Sequence, residues 1–209
     1  LGYKLAGGKV LLAVEFNPNA VQCYKLNFPD TPIWDKDIRE LTVQKIFEMT
    51  WLRPGELDIL DGSPPCQGFS IAGKRKFKDE RNYLFKEYVR ILRGLNPKVF
   101  VMENVSGMVR GKMKVIFAEI MKELKNSGYN VKCKLMNTKY YGVPQSRQRL
   151  IFIGVRDDLG IEPSHPKPQT IPITVEEALR GVKNKTFLET KGKIDKYMNM
   201  LEPGECLVK

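Results

Sequence analysis

Histidine is nearly absent from this chain, and long apolar runs are absent from its sequence. His165 is the only histidine among 209 residues and lies in a Pro-rich stretch, which predicts a surface residue rather than a ligand. A Ser-His or Cys-His relay needs a histidine beside the nucleophile, so a thiol hydrolase is the least favoured class of enzyme. No run approaches the roughly 20 apolar residues of a membrane span, and the first residues lack the basic and apolar pattern of a signal peptide.

Cysteine is scarce and widely spaced, at Cys23, Cys66, Cys133 and Cys206. There is no Cys-x-x-Cys pair, which argues against a zinc ribbon or a disulfide framework, and we expect no metal site. This usage fits a reducing compartment, and we expect a cytoplasmic location, nucleoid-associated if the source is bacterial. Free cysteines are usually buried and structural, and that interpretation is favoured for Cys23, Cys133 and Cys206.

Acidic residues are outnumbered, because 35 Lys and Arg stand against 24 Asp and Glu, for a net charge of +11. A chain this basic often binds a polyanion, most often nucleic acid. A lysine-rich solvated surface explains the charge equally well when charge is considered alone. The length and the apolar content of 42% allow one domain with a substantial core.

Short apolar runs alternate with longer amphipathic stretches. Such alternation predicts βαβ units, and therefore an α/β fold with a mostly parallel sheet and helices on both faces. Ligands of these sheets bind beyond the carboxyl ends of the strands. Strands are predicted at residues 10–14, 57–60, 99–102, 129–136 and 150–155, and helices at residues 18–26, 43–49, 83–92, 115–124 and 174–179, with Asn17, Thr42 and Thr174 as N-caps.

Three polar patches flank these predicted strands. Cys66 follows the second strand in Asp61-Gly62-Ser63-Pro64-Pro65-Cys66-Gln67, and Glu103 follows the third in Met102-Glu103-Asn104-Val105. Arg147 and Arg149 precede the last strand in Gln145-Ser146-Arg147-Gln148-Arg149, so they reach the same edge only if that strand is antiparallel to its neighbour. A thiol, a carboxylate and two guanidiniums at one sheet edge predict nucleophilic chemistry on a planar, hydrogen-bonding substrate.

Each of these residues also has a structural interpretation. Glu103 alone fits a salt-bridged acid at a strand end, and the arginines alone fit ordinary strand-edge residues. Cys66 is different, because Pro-Pro-Cys-Gln-Gly is a poor core sequence and the two prolines fix the backbone before the thiol. Asn104 is predicted to lock the local turn rather than to contact substrate.

Together, Pro65-Cys66-Gln67, Glu103-Asn104-Val105 and Gln145-x-Arg147-x-Arg149 resemble the motifs of the cytosine-5 DNA methyltransferase family. The resemblance implies a Rossmann-like, S-adenosylmethionine-dependent methyltransferase fold. It implies that Cys66 adds to carbon 6 of a cytosine flipped out of double-stranded DNA, and that carbon 5 then takes the methyl group. Glu103 would act at ring nitrogen 3, Arg149 would contact the base, and Arg147 would support the site.

The resemblance also assigns binding residues. The cofactor is expected to be S-adenosyl-L-methionine, with S-adenosyl-L-homocysteine as product. Glu15 would bind its ribose hydroxyls and Phe16 would pack on its adenine. Two further sets follow from the family motifs: Asp37, Ile38, Pro65 and Leu84 for the cofactor, and Gln67, Ser70 and Arg81 for DNA. Lys74, in the basic cluster at residues 74–78, is a DNA candidate because of its charge, which suits a phosphate contact.

The chain departs from the family pattern at both ends. Its start resembles the helix that follows the family's glycine loop, with Gly7-Gly8 predicted to end that helix. We expect residues 1–159 to form the catalytic and cofactor-binding domain, incomplete at its N-terminus, and residues 160–209 to lead toward a target-recognition region that is mostly absent. The alternatives are an inactive or regulatory DNA-binding fragment, half of a split methyltransferase completed by a second polypeptide, and an RNA cytosine methyltransferase.

Overall fold

The computed structural model describes residues 1–65, 84–109 and 111–181. Leu1–Pro172 belong to one compact unit, and a second unit begins at Ile173. Within the described ranges, no helix is long and apolar enough to cross a bilayer.

The described strands form two sheets. Strands β1 (Ala13–Val14) and β2 (Ile33–Trp34) pair in parallel. Strands β3 (Ile59–Gly62), β4 (Val99–Val105), β5 (Tyr129–Asn137) and β6 (Gln148–Arg156) form a sheet with the order β3-β4-β6-β5. β3 runs parallel to β4, whereas β6 is antiparallel to both of its neighbours. The antiparallel direction that the arginine patch required is therefore confirmed.

The described helices are α1 (Gly2–Leu5), α2 (Pro18–Asn27), α3 (Val43–Thr50), α4 (Leu84–Leu95), α5 (Lys114–Lys125) and, in the second unit, α6 (Val175–Ala178). Side chains cap the starts of α2, α3 and α6. Asn17 accepts from two backbone N–H groups of α2, Thr42 accepts from Lys45 N, and Thr174 forms a capping box with Glu177. All three predicted N-caps are confirmed.

Gly7 and Gly8 end α1, as predicted. Gly7 N donates to Lys4 O (3.1 Å), and Gly8 N donates to Tyr3 O (2.8 Å). Gly7 has a φ of +84°, the left-handed conformation that a Schellman cap needs and that glycine adopts without steric cost.

The main core lies between the four-stranded sheet and helices α4 and α5. Phe100, Met102 and Phe152 are fully buried there, and Gly154 leaves the space that the Phe100 ring occupies. On the other face, Asp61 accepts a hydrogen bond from the Tyr3 hydroxyl of α1. Since neighbouring residues of a strand point to opposite faces, α1 contacts the face that α4 and α5 leave open.

Candidate active site

The turn that leads to Cys66 starts from a closely packed strand end. A Cβ atom at Gly62 would lie 2.6 Å from Cε2 of Tyr88, so only glycine fits against this ring. The Tyr88 hydroxyl shares its proton between Leu60 O (3.3 Å) and Val101 O (3.1 Å). Tyr88 therefore joins β3 to β4 directly below the proline turn.

Asn104 holds the proline turn from the neighbouring strand. Its side chain is 2% exposed; Nδ2 donates to Pro64 O (3.3 Å), and Oδ1 accepts from Val105 N (2.8 Å). The prediction that Asn104 locks the local turn is confirmed. Because the backbone two residues before Cys66 is bonded to the end of β4, the position of the turn is coupled to that of Glu103.

Glu103 and Arg149 are in direct contact. In the antiparallel pairing, Glu103 lies opposite Ile151 and Arg149 lies opposite Val105, which makes the two side chains diagonal neighbours on one face of the sheet. Arg149 Nε lies 2.6 Å from Glu103 Oε1, with 26% of the Arg149 side chain and 29% of the Glu103 side chain exposed. Arg149 Nη1 also donates to Gln148 O (2.8 Å).

Arg147 is exposed and precedes β6 by one residue. Its carbonyl oxygen accepts a hydrogen bond from Thr138 N (3.1 Å), and this bond fixes the backbone of Arg147. The described residues thus bring together Glu103 and Arg149, with Arg147 close by in sequence.

Glu15 follows β1 and is oriented by its own backbone. Oε1 accepts from both Phe16 N and Asn17 N, at 2.9 Å each. Within the described part of the chain this leaves Oε2 available, and a carboxylate oxygen at a strand end suits a pair of ribose hydroxyls. Phe16 is exposed beside it.

Asp37 is held by Arg39, which approaches both carboxylate oxygens, the shortest contact being 2.7 Å from Nη2 to Oδ2. The hydrogen bonds from Arg39 lower the pKa of Asp37. The carbonyl of Asp37 accepts from Trp34 Nε1 (3.2 Å), and the carbonyl of Ile38 accepts from Arg90 Nη2 (3.1 Å). A ligand that binds the Asp37 carboxylate has to share it with Arg39.

The predicted cofactor residues lie on different elements. Among the described residues, the depression that Phe16 lines has a volume of about 460 Å³ and is bordered by α2 and Asp35, not by Asp37, Ile38, Pro65 or Leu84. Leu84 is half-buried at the start of α4, and Pro65 is exposed. The other predicted site residues lie outside the described residues: Cys66, Gln67, Ser70, Lys74 and Arg81.

A polar cluster beside the thiol turn was missed at the sequence level. Asp61 accepts from Tyr3, and partial desolvation raises the pKa of this carboxyl group. Burial, followed by the charge of Asp61, raises the pKa of Tyr88. The sequence signal for this cluster is Asp61 itself, which directly follows the apolar run 57–60. An unpartnered carboxylate is unexpected next to a buried strand.

The interpretation of Cys23 as a buried cysteine is wrong, because this thiol is exposed. Only Val21 of α2 is buried, so most of that helix faces solvent. Cys133 is half-buried in β5, and desolvation raises the pKa of its thiol to about 12, which fits an unreactive structural cysteine. Cys206 lies outside the described residues.

Comparison with known proteins decides the family. A family model for C-5 cytosine-specific DNA methylases matches residues 1–202. The chain belongs to this methylase family. Type II methyltransferase M1.HphI of Haemophilus parahaemolyticus is 41% identical over 82% of the chain, and M.XorII of Xanthomonas oryzae pv. oryzae is 38% identical over 87%. These matches cover 47% and 43% of the two relatives, so the chain spans about half of their length.

Solved structures agree with the family. A DNA modification methyltransferase encoded within an E. coli prophage is 31% identical, with a TM-score of 0.71 over 83% of this chain and 49% of that one. Spodoptera frugiperda DNMT2 is 29% identical, with a TM-score of 0.61 over 81% and 52% of the two chains. The Rossmann-like α/β methylase fold predicted from the sequence is confirmed. Among the described strands, β1–β2 and β3–β4 pair in parallel, and β6 is antiparallel to both of its neighbours.

Proposed function

We propose that this chain is the catalytic portion of an S-adenosylmethionine-dependent DNA cytosine-5 methyltransferase. The observation that carries the proposal is the contact between Glu103 and Arg149 at the sheet edge, next to the Asn104-held turn that leads to Cys66. A carboxylate and a guanidinium that already bind each other form a ready partner for the ring nitrogen and the carbonyl oxygen of a planar base.

Cys66 is the proposed nucleophile. Its thiolate forms a bond to carbon 6 of cytosine, and the electron pair of the C5–C6 double bond makes carbon 5 nucleophilic. S-adenosylmethionine supplies the methyl group that carbon 5 takes. The proton on carbon 5 then passes to water, and the electron pair of the C5–H bond re-forms the C5–C6 double bond. The C6–S bond breaks in the same elimination, which releases the thiolate and restores the aromatic ring. Splitting one difficult substitution into these easier steps is the advantage of covalent catalysis.

Glu103 and Arg149 are proposed to stabilise the charge that thiolate addition places on the ring. Glu103 protonates or hydrogen-bonds nitrogen 3, and Arg149 binds the carbonyl oxygen beside it. Their mutual ion pair orients both side chains before the base arrives. Arg147, on the exposed side of the same segment, is proposed to support the site from outside.

The cofactor is proposed to lie beyond the ends of β1 and β2. Glu15 fits the ribose, because the backbone N–H groups of Phe16 and Asn17 bind Oε1 and leave Oε2 for a ligand. Phe16 offers an exposed aromatic face for adenine, and Asp37 with Ile38 borders the same edge through the turn that Trp34 and Arg90 hold. Pro65 and Leu84 complete the proposed lining.

Double-stranded DNA is the proposed substrate, with the target base flipped out of the helix, because chemistry at carbon 5 and carbon 6 needs access to both faces of the ring. Gln67, Ser70, Lys74 and Arg81 are proposed to contact the DNA. Residues 1–159 form the proposed catalytic domain, and the residues after them lead toward a target-recognition region.

The decisive experiment is a covalent trap. The protein is mixed with S-adenosylmethionine and duplex DNA that carries 5-fluorocytosine, whose fluorine blocks the final elimination. We expect an adduct on a denaturing gel that mass spectrometry maps to Cys66. Cys66→Ala should give none and Cys133→Ala should behave as the parent protein, whereas an adduct in Cys66→Ala contradicts the mechanism.

Cofactor titration distinguishes the enzyme from a DNA-binding fragment. We expect S-adenosylhomocysteine to bind in a calorimetric titration, and Glu15→Ala to weaken cofactor binding more than DNA binding. Glu48→Ala, which removes an exposed acid of α3, is the matched control. DNA binding without any cofactor binding would favour the regulatory fragment.

A further inference from the structure

Residues 162–170, here called the return segment, leave the far end of β6 and come back to the catalytic edge. Glu162 binds Lys132 Nζ (2.6 Å) and Asn130 Nδ2 (2.7 Å) of β5. Pro163 is fully buried. His165 Nε2 donates to Ile151 O (2.8 Å) of β6. The start and the middle of this Pro-rich stretch are therefore fastened to the sheet.

The end of the return segment is bonded to the turn at residues 140–142. Tyr140 O accepts from Gln169 N (3.0 Å) and from Thr170 N (3.2 Å). Thr170 Oγ1 accepts from Gly142 N (2.8 Å). Tyr141 donates its hydroxyl proton to Pro166 O (3.0 Å). Four hydrogen bonds thus join the two segments across residues distant in sequence.

The same turn is bonded to the backbone of the arginine motif. Tyr141 N donates to Thr138 O (2.9 Å), and Thr138 donates through its N–H to Arg147 O (3.1 Å) and through its hydroxyl to Gln145 O (2.6 Å). A movement of the turn at residues 140–142 would therefore also move residues 145–147, which Gln148 joins to Arg149. Exposed connections of this kind are mobile unless such bonds fix them.

We propose that Thr170 is a positioning residue for Arg147 and Arg149, acting through its hydrogen bond from Gly142 N. Gly142 has a φ of +76°, and a glycine can also adopt many other backbone conformations. The hydrogen bond from its N–H to the Thr170 hydroxyl fixes it in this one. The bond holds the β5–β6 connection in the geometry that places Arg149 against Glu103 and Arg147 on the exposed side. This inference rests on the proposed function, and it adds a residue outside the methylase motifs identified in the sequence.

The test compares Thr170→Val, which keeps the shape but removes the acceptor, with Thr170→Ser, which keeps the hydroxyl. We expect Thr170→Val to slow formation of the 5-fluorocytosine adduct at least tenfold, and Thr170→Ser to stay within about threefold of the parent protein. Cofactor affinity and melting temperature should change little in either variant. Hydrogen exchange at residues 138–147 should be faster in Thr170→Val alone.

The outcomes separate this inference from the proposed function. Unchanged exchange and an unchanged adduct rate in Thr170→Val overturn the positioning role. Equal slowing in Thr170→Val and Thr170→Ser also overturns it, because the hydroxyl then has no part. Absence of an adduct in the parent protein overturns the proposed function, and hydrogen exchange still decides whether Thr170 fixes the turn. Should Thr170→Val unfold, Thr170→Ala removes the same hydroxyl acceptor without adding a second methyl group, and is judged by the same measurements.

Discussion

The ion pair between Glu103 and Arg149 allows a test at the residue scale, because its structural and catalytic contributions differ in size. A partly exposed pair contributes at most about 1 kcal/mol to stability. Proton donation to a reacting base is worth about 10²–10⁴ in rate. We therefore expect Glu103→Gln to unfold at nearly the parent urea concentration while forming the 5-fluorocytosine adduct at least a hundredfold more slowly.

The control for this variant is Glu48→Gln, which breaks an exposed pair with Lys45 away from the site. It should leave both the unfolding midpoint and the adduct rate unchanged. A Glu103→Gln protein that forms the adduct at the parent rate would remove Glu103 from the chemistry.

Asp61 gives a pH-dependent prediction. Partial desolvation raises the pKa of this carboxyl group in the folded protein, so ionisation of Asp61 disfavours the folded state. Asp61→Asn keeps an acceptor for the Tyr3 hydroxyl and removes the charge. We expect a higher melting temperature than the parent at pH 7, with the difference shrinking as the pH falls through the raised pKa and vanishing below about pH 4, where Asp61 is protonated in both states.

Asp58→Asn is the matched control, because Asp58 is 80% exposed and pairs with Lys98 at the surface. It should show a small effect with no such pH dependence. A melting temperature that falls in Asp61→Asn at pH 7 would mean that the charged form of Asp61 favours the fold.

At the scale of elements, the end of helix α3 carries a residue in an unfavourable conformation. Trp51 has φ 60° and ψ 18°, donates its N–H to Phe47 O (2.8 Å), and is 90% exposed. Left-handed backbone costs a residue with a Cβ atom about 1 kcal/mol, and glycine avoids this cost. Trp51→Gly should therefore be about 1 kcal/mol more stable than Trp51→Ala in urea unfolding followed by circular dichroism.

The comparison between glycine and alanine cancels the loss of the indole ring, which both variants share. Equal stability of the two would show that the left-handed cap is not maintained in solution.

Elements with strong local signals were predictable, and the contacts between them were not. The caps at Asn17 and Thr42 are encoded within three residues, so the helix starts were predicted correctly. β1 was predicted over residues 10–14 but covers only Ala13–Val14, and β2 was not predicted, because two residues give no measurable periodicity. α4 extends three residues beyond its predicted end at Leu92.

The candidate site shows the same division. The types of its groups followed from the motifs, whereas the diagonal register that joins Glu103 to Arg149 depends on pairing between distant strands. Tyr88 was predicted only as part of an apolar helical stripe, and nothing local to its sequence indicates that its hydroxyl joins β3 to β4. The role of the return segment likewise depends on where the chain comes back in space.

For the whole molecule, the net charge of +11 predicts how affinity for duplex DNA depends on salt. Each phosphate neutralised releases counterions, which makes the logarithm of affinity fall by about 0.9 per contact for each tenfold rise in salt. We expect a steep negative slope, and Arg81→Ala should reduce its magnitude by about 1. Lys125→Ala, at the end of α5 and away from the catalytic edge, should leave the slope unchanged.

A shallow slope in the parent protein would favour the interpretation of the lysines as solvated surface. An equal effect of Arg81→Ala and Lys125→Ala would mean that the DNA is attracted by total charge and has no defined path on the protein.

The antiparallel strand β6 has a consequence for the time course of folding. β6 lies between β4 and β5 yet follows both in the chain, so a nascent polypeptide can pair β3 with β4 early, while β5 must wait for a neighbour. When β6 inserts, it brings Arg149 beside Glu103 in the same step that closes the sheet. Ribosome-bound chains that end before residue 148 should therefore lack both a stable β5 and a paired Glu103, and the catalytic groups meet only when the sheet is finished.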